Sequence, residues 1–480
     1  MRPSGSPLNI RFVMSGLVLV ILLGAIEQTV VAVALPAIAS DLKGFGQLAW
    51  VISAYLVACA VTTPIWGKLS DIHGRSAALS AAIVIFILAS IGCALASNMP
   101  QLIAFRVLQG MGGGGLISVA QATISNVIPP RERGRYQGYI SGVFAAASLA
   151  GPVLGGYLTQ YLSWRWIFWI NLPLGLAALM LIRQSLRHLA FGSTQRTIDY
   201  PGAIMFATGL AAVLTAITRA GHGVALTETL NLILSAGGVV VLAGFGWHQN
   251  RIAAPLIPVS LLSNRTIAVC CALLFLAFFQ FISMSVLLPL RFRIARGLGV
   301  DVAALHLLPL TLAISAGAFL AGRMMSASGR YKQLQLTGTI AAAAGSLTMA
   351  LCRLDQSAAM VLAMCVMGLG IGLQFPTSLV AAQNEVGVED IGVATALTSL
   401  SRLLGGAVGI ALLSSLLGML LHRVLPEVPG DQIFDFVLNS VAHRDAADRV
   451  FRQMFMVSAA ASLVGPFLVL LLQEKALRKH

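Results

Sequence analysis

Apolar residues in this chain neither alternate with polar ones nor mark one stripe of a helix. They run together in long blocks, each ended by proline, glycine or a short cluster of charge. A helix rising 1.5 Å per residue needs about 20 residues to cross a hydrocarbon core of about 30 Å. Fourteen blocks approach or exceed that length: 12–38, 48–66, 77–97, 101–126, 136–160, 164–186, 201–218, 229–247, 266–290, 302–325, 333–352, 358–382, 392–420 and 451–472. The pattern predicts an all-α polytopic membrane protein with 14 transmembrane helices. The first block follows Arg2 and Arg11 as a signal peptide would, but it is longer than a signal-peptide core and more blocks follow at once. It is read as a retained first helix.

Composition agrees. Charged residues make up 10% of the 480, against roughly 25% in a soluble domain, and the mean hydropathy is +0.87. Too few polar groups exist to cover a water-soluble fold. The formal charge of +14 would suit nucleic acid if Lys and Arg formed one stripe, but they sit in short clusters between apolar blocks. That is how a multi-pass protein places positive charge on its cytoplasmic side. With the N-terminus inside, the C-terminus is inside too, and the cytoplasmic segments take the larger excess of Lys and Arg. Arg291, Arg293 and Arg296 then stand on the external side against the trend, and the mixed segment 421–450 is external. The six cysteines lie almost entirely in apolar runs without a CxxC, which reads as inert buried thiols.

An internal repeat is visible. Gly67-Lys68-Leu69-Ser70-Asp71-Ile72-His73-Gly74-Arg75 after the second block is echoed by Gly322-Arg323-Met324-Met325-Ser326-Ala327-Ser328-Gly329-Arg330 after the tenth. Gly110, Gly112 and Gly114 recur as Gly368, Gly370 and Gly372, and Gly151 and Gly155 as Gly405 and Gly409. An even number of blocks separates the copies, so both halves share one orientation, as in transporters built from parallel repeats. The division read from this is 1–190 and 263–480 as two six-helix bundles, with 191–262 as an inserted pair of linker helices.

Several polar residues stand out against the apolar blocks. Glu27 is the only acid placed within the hydrocarbon, where a carboxyl group must pair or carry a proton. Its readings are proton coupling, recognition of a cationic substrate, both by exchange, or a purely structural role. Arg106, in Arg106-Val107-Leu108-Gln109-Gly110, must face the bundle interior; it either supports the protonation of a nearby acid or is tied to backbone carbonyls. Asp71 and Arg75 are spaced to bridge adjacent helices, and Ser326 replaces the acid in the second copy. Ala147, Gly151, Pro152, Gly155 and Gly156 give a helix that bends and packs closely. Gln28, Gln109, Phe279 and Gln280, with Phe275, Phe278 and Phe281, are candidates for a substrate cavity; lipid-facing packing is the other reading for most of the rings. Arg402, in Ser401-Arg402-Leu403-Leu404-Gly405-Gly406, is either a helix anchor or a site residue. His306 is a lone histidine that is either structural or titrating.

Gly110, Gly112 and Gly115 satisfy GxGxxG, but no strand precedes them and an Arg-bearing apolar helix holds them, which excludes a dinucleotide site. GxxxxGK[ST], HExxH and GxSxG are absent. The expectation is a protein that is not an enzyme, needs neither cofactor nor metal, and draws on an ion gradient.

These motifs resemble those of the major facilitator superfamily, and within it the fourteen-helix drug/proton antiporters. The Gly67–Arg75 loop is similar to GxLaDrxGrr, Arg106–Gly110 to RxxQG, and Gly151–Gly156 to gxxxGPxxGG, which in that family accompanies export. Ile26-Glu27-Gln28-Thr29-Val30-Val31-Ala32-Val33-Ala34-Leu35-Pro36 resembles LDxTIVNVALP, with Glu for Asp and Ala32 for Asn. The Pro129–Gly134 loop and Trp164–Pro173 resemble the same group. The resemblance implies two six-helix bundles plus two linker helices, proton-coupled efflux of amphipathic cationic or neutral molecules by alternating access, gating by Gly67, Asp71, Gly74 and Arg75, and a bacterial inner-membrane location. Partners would be small-molecule substrates, protons and the bilayer, with no nucleic acid, in a monomer. The rival is an exporter of one metabolite, lipid or siderophore; a channel or membrane sensor is more remote.

Overall fold

The computed structural model describes residues 10–42, 48–186, 199–221, 227–252, 255–257, 261, 263–296, 302, 305–353, 356–387, 390–424 and 444–475. The expected segment 421–450 lies mostly outside this set, as do both chain ends.

Every regular element among the described residues is a helix. In order they are α1 (Ile10–Leu42), α2 (Leu48–His73), α3 (Arg75–Leu95), α4 (Met99–Val127), α5 (Pro130–Tyr161), α6 (Trp166–Trp169), α7 (Asn171–Leu186), α8 (Tyr200–Gly221), α9 (Thr229–Gln249), α10 (Arg265–Arg296), α11 (Leu308–Ser328), α12 (Lys332–Leu351), α13 (Ser357–Asn384), α14 (Ile391–Val424), α15 (Arg444–Ser462) and α16 (Val464–Leu470). Among the described residues, 13 stretches are long and apolar enough to cross a membrane. They match all the expected blocks but 136–160. That block lies in α5, a helix of 32 residues in which several side chains fall outside the described residues.

Local chemistry sets the breaks. Asn98 accepts a hydrogen bond at 3.0 Å from the Gln101 amide to start α4, with Pro100 in the first turn. Gly74 separates α2 from α3 at φ 88°, and Gly329 ends α11 at φ 70°. These glycines hold matching places in the two copies of the loop motif, and both take a left-handed backbone that a side chain would strain.

By contacts the chain divides into two units: residues 1–129, 146–198 and 388–396, and residues 130–145, 199–387 and 397–480. The glycine repeat has the same meaning inside each. In the first, Gly110 and Gly114 let α4 onto α2 at the Tyr55 and Cys59 carbonyls, while Gly112 faces α3 at Ala82. In the second, Gly368 and Gly372 bring α13 onto α11 at the Leu310 and Ile314 carbonyls, while Gly370 faces α12 at Gly338. Gly155 likewise lies against the Val30 carbonyl of α1, and Gly409 against the Phe279 carbonyl of α10. Helices α8 and α9 pack on each other through Gly209 and Gly238. Only 17% of the α9 span is buried, and large apolar side chains such as Leu88, Val240, Leu362 and Phe467 are more than half exposed. A bilayer suits that surface.

Candidate functional site

In the first unit, polar side chains from five helices meet in an otherwise apolar interior. Glu27 of α1 and Arg106 of α4 form an ion pair with both side chains 1% exposed. The Arg106 Nε donates to the Val51 carbonyl of α2 at 2.8 Å, and its Nη1 also donates to Gln109 Oε1 at 2.6 Å. The guanidinium lies 4.3 Å from the centre of the Tyr55 ring. On the other side, Asn171 at the start of α7 donates from Nδ2 to Glu27 Oε2 at 2.7 Å. Gln109 Nε2 and Asn171 Nδ2 both donate to Ser90 Oγ of α3, at 2.8 and 3.3 Å. Asn171 Oδ1 is buried without a partner.

Sequence spacing explains part of this cluster. Arg106 and Gln109 are one turn apart on α4 and so share a face. Gly110, Gly113 and Gly114 thin the helix so that α2 comes close enough to present Tyr55 and the Val51 carbonyl. A charged pair this deep is expensive to desolvate and holds only when its remaining donors and acceptors are met. Here both oxygens of Glu27 are engaged, one by Arg106 and one by Asn171. Of these residues, Glu27, Arg106 and Gln109 stand out in the sequence. Asn171, Ser90 and Tyr55 do not: a lone Asn, Ser or Tyr in an apolar run is commonplace. The signal for Asn171 is its place in Trp164–Pro173. Gln28 lies in α1 next to the acid, but its side chain falls outside the described residues.

The second unit repeats the frame without the charge. By the glycine alignment, Met364 and Met367 stand where Arg106 and Gln109 do, and both are fully buried in the apolar core. Ser346 contacts Met367 Sδ at 3.4 Å as Ser90 contacts Gln109. Gln280 of α10 donates to Ser346 Oγ and, at 3.3 Å, to the Ala342 carbonyl. Phe279 is buried in the same core. The titratable cluster thus belongs to the first unit.

Three further groups of expected residues are placed. Arg75 binds Asp71 at 2.5 Å within the first unit and also reaches Ser70 Oγ. Gly392, in the first turn of α14, packs so closely on Asp71 Oδ1, Asp71 Oδ2 and Arg75 Nη1 that a Cβ would not fit. Gly67 is equally close to Ala396 and the Gly392 carbonyl. The carboxylate therefore sits at the positive end of a helix dipole. In the second copy, Ser326 accepts from the Arg135 amide at 3.2 Å in the second turn of α5.

Gly151 and Gly155 carry α5 against α1 at Thr29 and Val30, directly beyond Glu27. A Cβ at Gly155 would lie 2.8 Å from the Val30 carbonyl oxygen. Gly156 is half-buried, and the Pro152 side chain falls outside the described residues.

Arg402 lies in α14 with its guanidinium 4.3 Å from the centre of the Phe278 ring. His306 stands in the turn before α11 rather than inside a span; its Nδ1 is 2.8 Å from the Val302 carbonyl and its ring 4.4 Å from that of Phe292. Arg291, which breaks the charge trend in the sequence, is buried and donates to Asp448 at 2.8 Å and the Cys352 carbonyl at 3.0 Å. Among the described residues no group of His, Cys, Asp and Glu is disposed to hold a metal ion.

The family model of the Major Facilitator Superfamily matches residues 17–410. An MFS-type transporter of Mycobacterium tuberculosis is 32% identical over 98% of this chain and 71% of its own length. Multidrug resistance protein 3 of Bacillus subtilis is 31% identical over 84% of this chain and 78% of its own. Among solved structures, the proton:xylose symporter XylE superposes with a TM-score of 0.59 at 15% identity, covering 94% of each chain, a likeness of fold alone.

Proposed function

The chain belongs to the major facilitator superfamily, and from that premise we propose that it is a proton-coupled multidrug exporter that exchanges protons for amphipathic, cationic or neutral small molecules. The observation that carries this reading is the buried Glu27–Arg106 pair with its Asn171 and Gln109 partners. A proton reaching Glu27 neutralises the acid and breaks the ion pair. Arg106 then keeps the Val51 carbonyl, Gln109 and the Tyr55 ring, so its charge is not stranded when the proton arrives. A cationic substrate competes with that proton for the same carboxylate. The relative of Bacillus subtilis named for multidrug resistance supports the export reading.

In this account residues 1–190 and 263–480 are the bundles that alternate about a central cavity, and 191–262 are linker helices. Asp71 and Arg75 latch the cytoplasmic side through the start of α14, and the Gly151–Gly156 segment is the bending interface. Both termini are cytoplasmic, in a bacterial inner membrane; the protein acts as a monomer and needs no cofactor beyond the proton gradient.

Reconstitution tests the reading. In proteoliposomes with an imposed pH gradient, tetraphenylphosphonium should move against its own gradient in the direction opposite to protons. Collapse of the gradient with an ionophore should stop it. Flux that persists unchanged after collapse contradicts proton coupling.

A further inference from the structure

Within the second unit, Arg402 has no acid beside it among the described residues. Arg402 lies in the Ile391–Gly409 span, and among the described residues its guanidinium makes contacts only with aromatic rings. Phe278 of α10 is at 4.3 Å, Phe144 of α5 at 5.9 Å and Phe375 of α13 at 5.9 Å from ring centre to the guanidinium carbon. Phe278 and Phe375 stack at 4.5 Å, and Phe281 meets Phe278 edge-on at 5.9 Å. The rings therefore form one continuous aromatic wall beside the charge.

Ring faces offer a guanidinium roughly 0.5–2 kcal/mol. They do not accept its N–H donors: arginine presents five in a rigid fork shaped for a carboxylate. The three fully buried arginines of the described structure each have an acceptor of that kind: Arg106 has Glu27, Arg75 has Asp71, and Arg291 has Asp448, whereas the half-buried Arg402 has none among the described residues. An intramembrane charge left with no such acceptor marks a site. Its position is also fixed. Gly405 and Gly409, one and two turns further on, bring α14 onto the Phe275 and Phe279 carbonyls of α10, which sets the guanidinium over Phe278 in between.

We propose that Arg402, with Phe144, Phe278 and Phe375, is a subsite for the anionic group of an aromatic or amphipathic carboxylate cargo. The carboxylate takes the guanidinium fork, and the flat apolar body lies on the Phe278–Phe375 stack. This deepens the exporter reading and rests on it for the notion of cargo: the range then includes acids and zwitterions as well as cations and neutral molecules.

The test compares 1-naphthaleneacetate with the neutral 1-naphthaleneacetamide, which share a ring and differ in charge. Affinities are measured at pH 7 on the purified full chain in nanodiscs. The wild type should bind the acid at least tenfold more tightly than the amide. Arg402→Gln should bring that ratio to about one, and Arg402→Lys should leave it intermediate, because the charge stays while the fork is lost. Thermal unfolding shows whether Arg402→Gln folds. If it does not, Phe278→Ala decides, and should weaken both ligands together. Equal binding of acid and amide by the wild type, binding of neither, or a preference that survives in folded Arg402→Gln overturns the subsite. The exporter reading fails separately: acid preference without proton-coupled flux contradicts export and leaves the subsite, whereas coupled flux of tetraphenylphosphonium without acid preference does the reverse.

Discussion

At the scale of single residues, the cost of a buried charge organises the site. Removing one partner of a buried pair leaves the other uncompensated, which costs about 3–5 kcal/mol. Arg106→Met should therefore lower the thermal unfolding temperature of the purified protein markedly. Glu27→Gln added to it should recover most of the loss, because the stranded acid is gone; no recovery would show that Arg106 acts on something other than Glu27. Asn171 suits both states of the acid. Its Nδ2 donates to the ionised carboxylate, and its orphan Oδ1 is the acceptor that a protonated Glu27 needs once the amide turns over. Asn171→Leu should reduce proton-coupled flux at least tenfold while leaving the fold intact by thermal unfolding. Glu27 and Arg106 are legible in the sequence because charge is rare in an apolar block. Ser90 and Tyr55 are not, because their role depends on which helices touch.

At the scale of elements, glycine spacing makes the architecture readable. Two of the matched glycine sets, Gly110, Gly112 and Gly114 with Gly368, Gly370 and Gly372, and Gly151 and Gly155 with Gly405 and Gly409, make the same helix crossings in both units. What spacing leaves open is the partner: Gly155 could oppose any neighbour, and it is the fold that selects Val30, three residues beyond Glu27. Gly155→Leu should abolish transport by holding α5 off α1, as read by flux in vesicles at matched protein levels. The α1 end is tied differently. Asp41 accepts from Arg165 at 2.6 Å and from Trp164 at 2.9 Å, and the Arg165 hydrogen bond, with that of Trp164, holds its carboxyl below the usual carboxylate range. Because the folded state titrates lower than the unfolded one, the tie stabilises above the ordinary carboxylate range and is lost as pH falls through the depressed value. Both partners are partly exposed, so the contribution is at most about 1 kcal/mol. Asp41→Asn should unfold slightly earlier than the wild type at pH 7, and the difference should shrink as pH falls below the ordinary carboxylate range.

At the scale of the whole molecule, the two units share helices, glycine contacts and the left-handed loop glycines, yet their polar chemistry diverges. The first holds Glu27, Arg106 and Gln109; the second fills the corresponding places of α13 with Met364 and Met367 and carries an arginine among phenylalanines instead. Hydropathy shows the helix count, and the repeat shows the shared frame. The divergence becomes visible only when positions are matched through contacts, since methionine in an apolar block carries no signal of what it replaced. Glu27 is the proposed point where proton and cargo compete. The most direct test is proton release on adding tetraphenylphosphonium to purified protein in weakly buffered solution. Wild type should release protons and Glu27→Gln should release none. Equal release from the two would contradict the account, because the exchanging proton would then reside on another group.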